Sequence, residues 1–154
     1  MNRRILLTVL VLFLAVGASA YPTVDDTTGT ITVTSTNSGF GMNRLTLSWV
    51  SSASDVNGHI RGIYGTLLRA VVDPGSASPT ASYDMVLYDD DVVDVLRGYC
   101  ANLSATATVS YALTVANKES TPGIYHGVPV SGNLNLVISN AGISKTGKIT
   151  LYWK

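Results

Sequence analysis

The sequence predicts an all-β domain, a single antiparallel β-sandwich of about eight strands. Several segments alternate apolar and polar residues with a period of two, which is the pattern of a half-buried strand. After residue 20 the chain contains 15 valines and 31 serines and threonines, but only one glutamate, Glu119, and no glutamine. This shortage of helix formers beside many β-branched residues argues against a helical bundle.

The first two predicted strands are residues 30–36 and 45–49. In the first, β-branched and polar residues alternate. In the second, Leu45, Leu47 and Trp49 occupy every other position, so that they share one face of the strand.

The middle of the chain contains several glycines within a sequence that is otherwise rich in β formers. The dipeptide Asn57-Gly58 predicts a hairpin turn. Residues 59–72 are rich in β formers but contain Gly62 and Gly65, and glycine inside a strand often marks a bulge or a bend. This stretch therefore predicts either one bent strand or two.

The second half of the chain continues the pattern. Residues 73–80 are a loop by composition. Residues 82–88 form a strand with Tyr83, Met85 and Leu87 on one face, and a turn follows at residues 89–91. Further strands are predicted at residues 92–96, 105–115, 124–130, 134–139 and 148–153, with residues 140–147 as a long hairpin loop.

The last predicted strand is strongly apolar on one face. Ile149, Leu151 and Trp153 occupy alternate positions. A strand bearing a tryptophan so late in the sequence frays unless that face is buried. We expect the strand to close the core of its own domain, rather than to remain free as a donor strand for another subunit.

The first 20 residues have the three-part form of a secretory signal. Residues 1–4 carry two arginines, residues 5–16 are an apolar run, and residues 17–20 are small. We expect cleavage after Ala20 and a domain at residues 21–154. The alternative is a retained membrane anchor, which the apolar run is too short to form because spanning a bilayer takes about 20 residues.

Charge and cysteine content exclude several classes of function. The full chain has a net charge of zero, and loss of Arg3 and Arg4 leaves 8 basic against 10 acidic residues, a net charge of −2. This balance gives no electrostatic footprint for nucleic acid. The single cysteine, Cys100, excludes an internal disulfide and a multi-cysteine zinc site. We expect no cofactor, and no membrane partner once the signal is cleaved.

The most conspicuous polar feature is a group of carboxylates, half of those in the chain, within eleven residues: Asp84, Asp89, Asp90, Asp91 and Asp94. Aspartate favours turns because its side chain accepts hydrogen bonds from nearby backbone amides, and we interpret the group in this way. A weak calcium site at Asp89, Asp90 and Asp91 stays open, although the spacing is not that of an EF-hand.

No catalytic, cofactor-binding or metal-binding residues are predicted. His59 and His126 lack a nucleophile motif such as G-x-S-x-G, and we expect both on the surface. Cys100 is expected to be a buried thiol. Glycoside hydrolysis needs two carboxylates across a cleft, which neighbours on one turn do not supply. Asn102-Leu103-Ser104 matches the N-glycosylation acceptor pattern.

Aromatic residues on the strands have two interpretations. They can form a platform that stacks on carbohydrate, or they can be half-buried partners that stabilise the sheet, which we favour. The residues concerned are Trp49, Tyr64, Tyr83, Tyr88, Tyr111, Tyr125, Tyr152 and Trp153.

Residues 79–98 combine several short motifs in a fixed order. Pro79-Thr80 is followed by Tyr83-Asp84, an alternating strand, the Asp-rich turn, and Val-Asp-Val-Leu before Gly98. On this segment the chain resembles a group of small structural proteins of tailed bacteriophages and prophages. That family usually has glycine after the Asp-rich turn, where this chain has Val92. The similarity covers roughly Trp49 to Lys154 and includes residues 69–74, 102–104, 132–134, 137–142, 145, 147 and 149.

The resemblance implies a non-enzymatic structural protein, a virion component of the decoration or connector type. Its partners are then virion subunits, and self-association stays open. A secretory signal is unusual for such a protein because virions assemble in the cytoplasm. The alternative is an exported bacterial surface or periplasmic binding domain, such as an adhesin, with cell-surface partners. The location is the virion if the signal is unused, and secreted, periplasmic or surface-exposed if it is used.

Overall fold

The computed structural model describes residues 22–38, 41–116 and 125–154, and within them all regular structure is β. The all-β, antiparallel prediction is confirmed, whereas the predicted signal at residues 1–20 lies outside the described residues. The strands are β1 (Thr23–Thr28), β2 (Thr30–Ser38), β3 (Met42–Val50), β4 (Ser54–Pro74), β5 (Asp84–Tyr88), β6 (Val109–Ala112), β7 (Thr114–Ala116), β8 (Tyr125–Gly142) and β9 (Thr146–Trp153).

The strands pair in the order β2-β3-β9-β4-β8-β5, with β1 and β6 also on β4 and β7 on β8. The first part of β4 pairs with β1 and β8, and its last part pairs with β9 and β6. The two layers expected of a sandwich are therefore parts of one continuous open sheet that shares strand β4.

Two irregularities let β4 keep one side against the core along its whole length. The pairing register shifts between Ile60 and Ile63 against β8, and between Leu67 and Arg69 against β9. Each extra residue reverses the face on which the following side chains lie. The buried positions change parity accordingly: Val56 and Ile60, then Ile63 and Leu67, then Ala70 and Val72. Residues 59–72 thus form one bent strand, the first of the two predicted alternatives.

The predicted hairpin turn at Asn57-Gly58 is wrong. Both residues lie inside β4, paired with β8 on one side and β1 on the other. A Cβ atom on Gly58 would stand 2.6 Å from Cδ1 of Ile31 in β2, so that a larger residue here would make the end of the Ile31 side chain shift. The reversal between β3 and β4 falls earlier, where Ala53 has a φ of 51°.

Four later strand predictions need correction. The predicted strands at residues 124–130 and 134–139 are one strand, β8, which continues through Gly132 at a φ of 92° and shortens the predicted loop at residues 140–147. Within residues 105–115 only β6 and β7 are strands, because the Ser104 hydroxyl accepts the backbone N–H groups of Thr106 and Ala107. Residues 92–96 form no strand.

The core lies between the two layers. Leu45, Leu47 and Trp49 of β3 are at most 1% exposed, as their alternation predicts. The Trp49 ring lies 6.0 Å from the ring of Tyr83, which precedes β5 in the other layer. This aromatic contact joins the layers at a distance typical of favourable ring pairs.

Strand β9 occupies the interior of the sheet, between β3 and β4. Ile149 and Leu151 are fully buried and Trp153 is 6% exposed. The expectation that this strand closes the core of its own domain is confirmed.

We predict that deleting residues 148–154 gives insoluble or unfolded protein, because the deletion removes a central strand and three buried side chains. Leu151→Ala is the milder change and should lower the free energy of unfolding by about 2–5 kcal/mol. Denaturant unfolding followed by circular dichroism measures it. Lys148→Ala is the matched control, since its exposed ion pair with Asp73 is worth at most about 1 kcal/mol. A soluble, cooperatively melting truncated protein would contradict this role of β9 and favour the donor-strand view.

Candidate functional site

The acidic turn is held by its own carboxylates. Oδ1 of Asp89 accepts the backbone N–H groups of Asp91 and Val93, at 3.1 and 2.8 Å. The backbone N–H of Val92 bonds to the carbonyl of Asp89. These local bonds confirm the turn interpretation, and they explain why residues 92–96 form no strand: the side chain of Asp89 takes a backbone donor that a neighbouring strand would otherwise bind.

Of the five aspartates in this group, Asp94 accepts the most backbone hydrogen bonds among the described contacts. Its Oδ1 accepts the backbone N–H groups of Leu87 and Leu96 at 3.2 and 2.9 Å, and its Oδ2 accepts that of Gly98 at 2.6 Å. The carboxylate thus ties β5 to the loop that follows the turn. Asp84 acts similarly, accepting the N–H of Asn102 at 2.8 Å.

Asp90 and Asp91 are exposed at the tip of the turn. In the described part of the chain, no three histidine, cysteine or acidic side chains come together in a way that could hold a metal ion. A cleft of about 250 Å³ separates the turn from β8, with His59, Tyr88, Asp90 and Asn135 among its lining residues. The residues lining this cleft include no nucleophile–base pair.

The structure keeps the two histidines apart. His59 is exposed on β4 opposite Asn135, and His126 is exposed near the start of β8. His126 lies nine positions before Asn135 in β8, a path of about 30 Å along the strand. Both surface predictions are confirmed. Cys100 is fully buried, and burial raises the pKa of its thiol to about 12, so that it is no nucleophile at neutral pH.

Most of the strand aromatic residues named above are buried or half-buried rather than exposed. Trp49, Tyr83 and Trp153 are buried, and burial raises the pKa of Tyr83 to about 12. Tyr152 lies under the guanidinium of Arg69, 5.3 Å from ring centroid to Cζ. Tyr64 is 67% exposed, and the side chain of Tyr125 lies outside the described residues.

A second cleft, of about 340 Å³, lies between β9 and the loop after β4. Its charged groups are already paired, since Nζ of Lys148 is 2.8 Å from Oδ2 of Asp73. This ammonium group and the hydroxyl of Thr108 hold the pKa of Asp73 below its ordinary value. The pair leaves little charge here for a ligand.

Among the described strands, five end the pairing on one side, and four of these are protected. Strand β1 carries Asp25 and Asp26, and Asp25 forms an ion pair with Arg61 at 2.7 Å. Strand β5 is covered by the following loop, in which the carbonyl of Cys100 accepts the N–H of Met85. Strands β6 and β7 have only four and three residues. Charge, cover and short length are the usual means of preventing strand edges from pairing with other chains.

Strand β2 has none of these protections. Its nine residues pair with β3 from Thr30 to Ser38 without a register break, and no other strand of the described residues pairs with it. Its sequence, TITVTSTNS, contains no charge and no proline. A long, uncharged edge of this kind is suited to accept a further strand.

One contact shows which backbone groups of β2 face outward. The N–H of Ile31 donates to Oδ2 of Asp26 at 2.9 Å, and so it points away from β3. Backbone direction alternates along an antiparallel strand, so the N–H and C=O groups of Val33, Ser35 and Asn37 point the same way. These three residues are the open part of the edge, and Asp26 closes its beginning. The sequence predicted the strand but not its edge position, although the lack of charge was a signal.

Comparison of the chain with family models, with curated proteins and with solved structures finds no match. No helix in the described residues is both long and apolar enough to span a membrane.

We predict that Asp94→Ala lowers the free energy of unfolding by about 1–3 kcal/mol, because it leaves three backbone donors without their acceptor. Asp91→Ala is the control and should change stability by less than about 0.5 kcal/mol, since this exposed side chain accepts no hydrogen bond from the described residues. Thermal and denaturant melts compare the two. Equal effects would show that the carboxylate of Asp94 does not hold the loop.

We also predict that Val92→Gly stabilises the protein by about 1 kcal/mol. Val92 has a φ of 61°, in the left-handed region that glycine adopts freely and β-branched residues avoid. Its side chain is 74% exposed, so that little packing is lost. The midpoint of urea unfolding measures the change, with Val93→Gly as the neighbouring control that should not stabilise. A lower midpoint for Val92→Gly would contradict the strain argument.

Proposed function

We propose that this chain is a non-enzymatic structural protein that joins other protein subunits through the open edge of β2. The observation that carries the proposal is the contrast between the edges: β1, β5, β6 and β7 are charged, covered or short, whereas β2 is long and uncharged. An added strand would bind the outward N–H and C=O groups of Val33, Ser35 and Asn37 by main-chain hydrogen bonds.

The resemblance of residues 79–98 to structural proteins of tailed phages and prophages supports a virion role. The conspicuous carboxylates in this segment also support a structural role, because Asp84, Asp89 and Asp94 are engaged with backbone amides. We therefore propose a virion component of the decoration or connector type, with other virion subunits as partners.

A second candidate is an exported surface or periplasmic binding domain. The signal-like residues 1–20 favour it, because a secretory signal directs the chain out of the cytoplasm. The same β2 edge would then receive a strand from a cell-surface partner.

The test is whether particles contain the chain. Tailed particles purified by density gradient from the producing strain should contain it, as measured by mass spectrometry. Particles from a strain carrying Ser35→Pro should lack it, because proline removes an outward N–H group while sparing the bonds to β3. Ser35→Ala keeps that N–H group and should be incorporated normally.

A melting temperature of the Ser35→Pro protein close to that of the unchanged chain shows that loss of incorporation is not loss of fold. If the purified particles of the producing strain do not contain the unchanged chain, the virion role is contradicted. Recovery of the chain from the periplasm or cell surface, beginning at Tyr21, would favour the exported domain instead. Equal incorporation of Ser35→Pro and Ser35→Ala would contradict the use of the β2 edge.

A further inference from the structure

We infer that the strand received by the β2 edge comes from a second copy of this chain, paired antiparallel about a twofold axis at Ser35. The inference rests on the proposed use of this edge and names its partner. It comes from the register of the free backbone groups and from the charges at the two ends of the edge.

The open part of the edge is self-complementary. Because Asp26 occupies the N–H of Ile31, the residues of β2 whose outward N–H and C=O groups can both pair with another strand are Val33, Ser35 and Asn37. In an antiparallel pair centred on Ser35, Val33 stands opposite Asn37 of the second copy, and Ser35 stands opposite its own equivalent. Each opposed pair exchanges both N–H···O=C bonds. This register uses Val33, Ser35 and Asn37 on both copies and stops before Asp26.

Side-chain chemistry permits the pairing. No residue from Thr30 to Ser38 is charged, so that identical edges meet without like-charge repulsion.

The ends of the edge carry opposite charges. Asp26 of β1 lies near the beginning of the edge, where it contacts Ile31, while the charge of neighbouring Asp25 is offset by Arg61. Arg44 of β3 is paired with Thr36 near its other end. An antiparallel arrangement places the acidic end of each copy beside the basic end of the other, whereas a parallel one places the acidic ends together. The same patch serves both copies, so that the assembly closes as a dimer.

Cross-linking tests the register. The twofold axis puts the two Ser35 Cα atoms about 5.5 Å apart, which is within disulfide range. Ser35→Cys should therefore give a covalent dimer on mild oxidation. Val33→Cys alone should not, since its two copies are about 13 Å apart along the strands. A mixture of Val33→Cys and Asn37→Cys proteins should cross-link. Cys100 does not interfere because it is fully buried.

The second measurement is the oligomeric state of the protein, purified in the form that the cell produces. Light scattering after size exclusion should give twice the chain mass for the unchanged protein and for Ser35→Ala, and the single mass for folded Ser35→Pro. A monomer at every concentration with no Ser35→Cys dimer overturns the inference, and so does a dimer cross-linked in another register.

The two proposals fail separately. If Ser35→Pro is lost from particles while the unchanged chain is monomeric, the edge binds a different subunit, which refutes the second copy and leaves the virion role. If the dimer forms in the stated register while particles lack the chain, the second copy is supported and the virion role is refuted.

Discussion

The architecture depends on the continuity of strand β4. This one strand pairs with β1, β8, β9 and β6, and so it belongs to both layers of the sheet. A regular strand would turn its apolar face outward as it crossed from one layer to the other. The two bulges prevent this, because each reverses the parity of the buried positions and returns the apolar side chains to the same core.

The carboxylates show how a short loop can be ordered without regular structure. Asp89 and Asp94 replace the missing strand partners of residues 91–98 by accepting backbone N–H groups directly. Charged acceptors make stronger hydrogen bonds than carbonyl groups do. The loop that these carboxylates order covers the edge of β5. The acidic residues therefore have a structural explanation, and the open edge of the sheet lies elsewhere.

Local alternation was enough to predict the β class and the inward faces of β3, β5 and β9. It failed where a residue responds to a distant part of the chain. Asn57-Gly58 has the composition of a turn, but both residues lie inside β4, between β8 and β1. Residues 92–96 have the composition of a strand, but the side chain of Asp89 competes for their amides. The open edge of β2 depends on the strand order, which no local pattern encodes.

The interior position of β9 also governs how the chain reaches its fold. The hydroxyls of Thr46 and Thr150 are 3.1 Å apart, although 104 residues separate them in the sequence. Contacts of such long range close slowly because the intervening chain must be ordered first. Until β9 inserts, β3 and the last part of β4 each present an unpaired edge to other chains. The protein is therefore most prone to aggregation before β9 inserts, and a chaperone would protect it most at that stage.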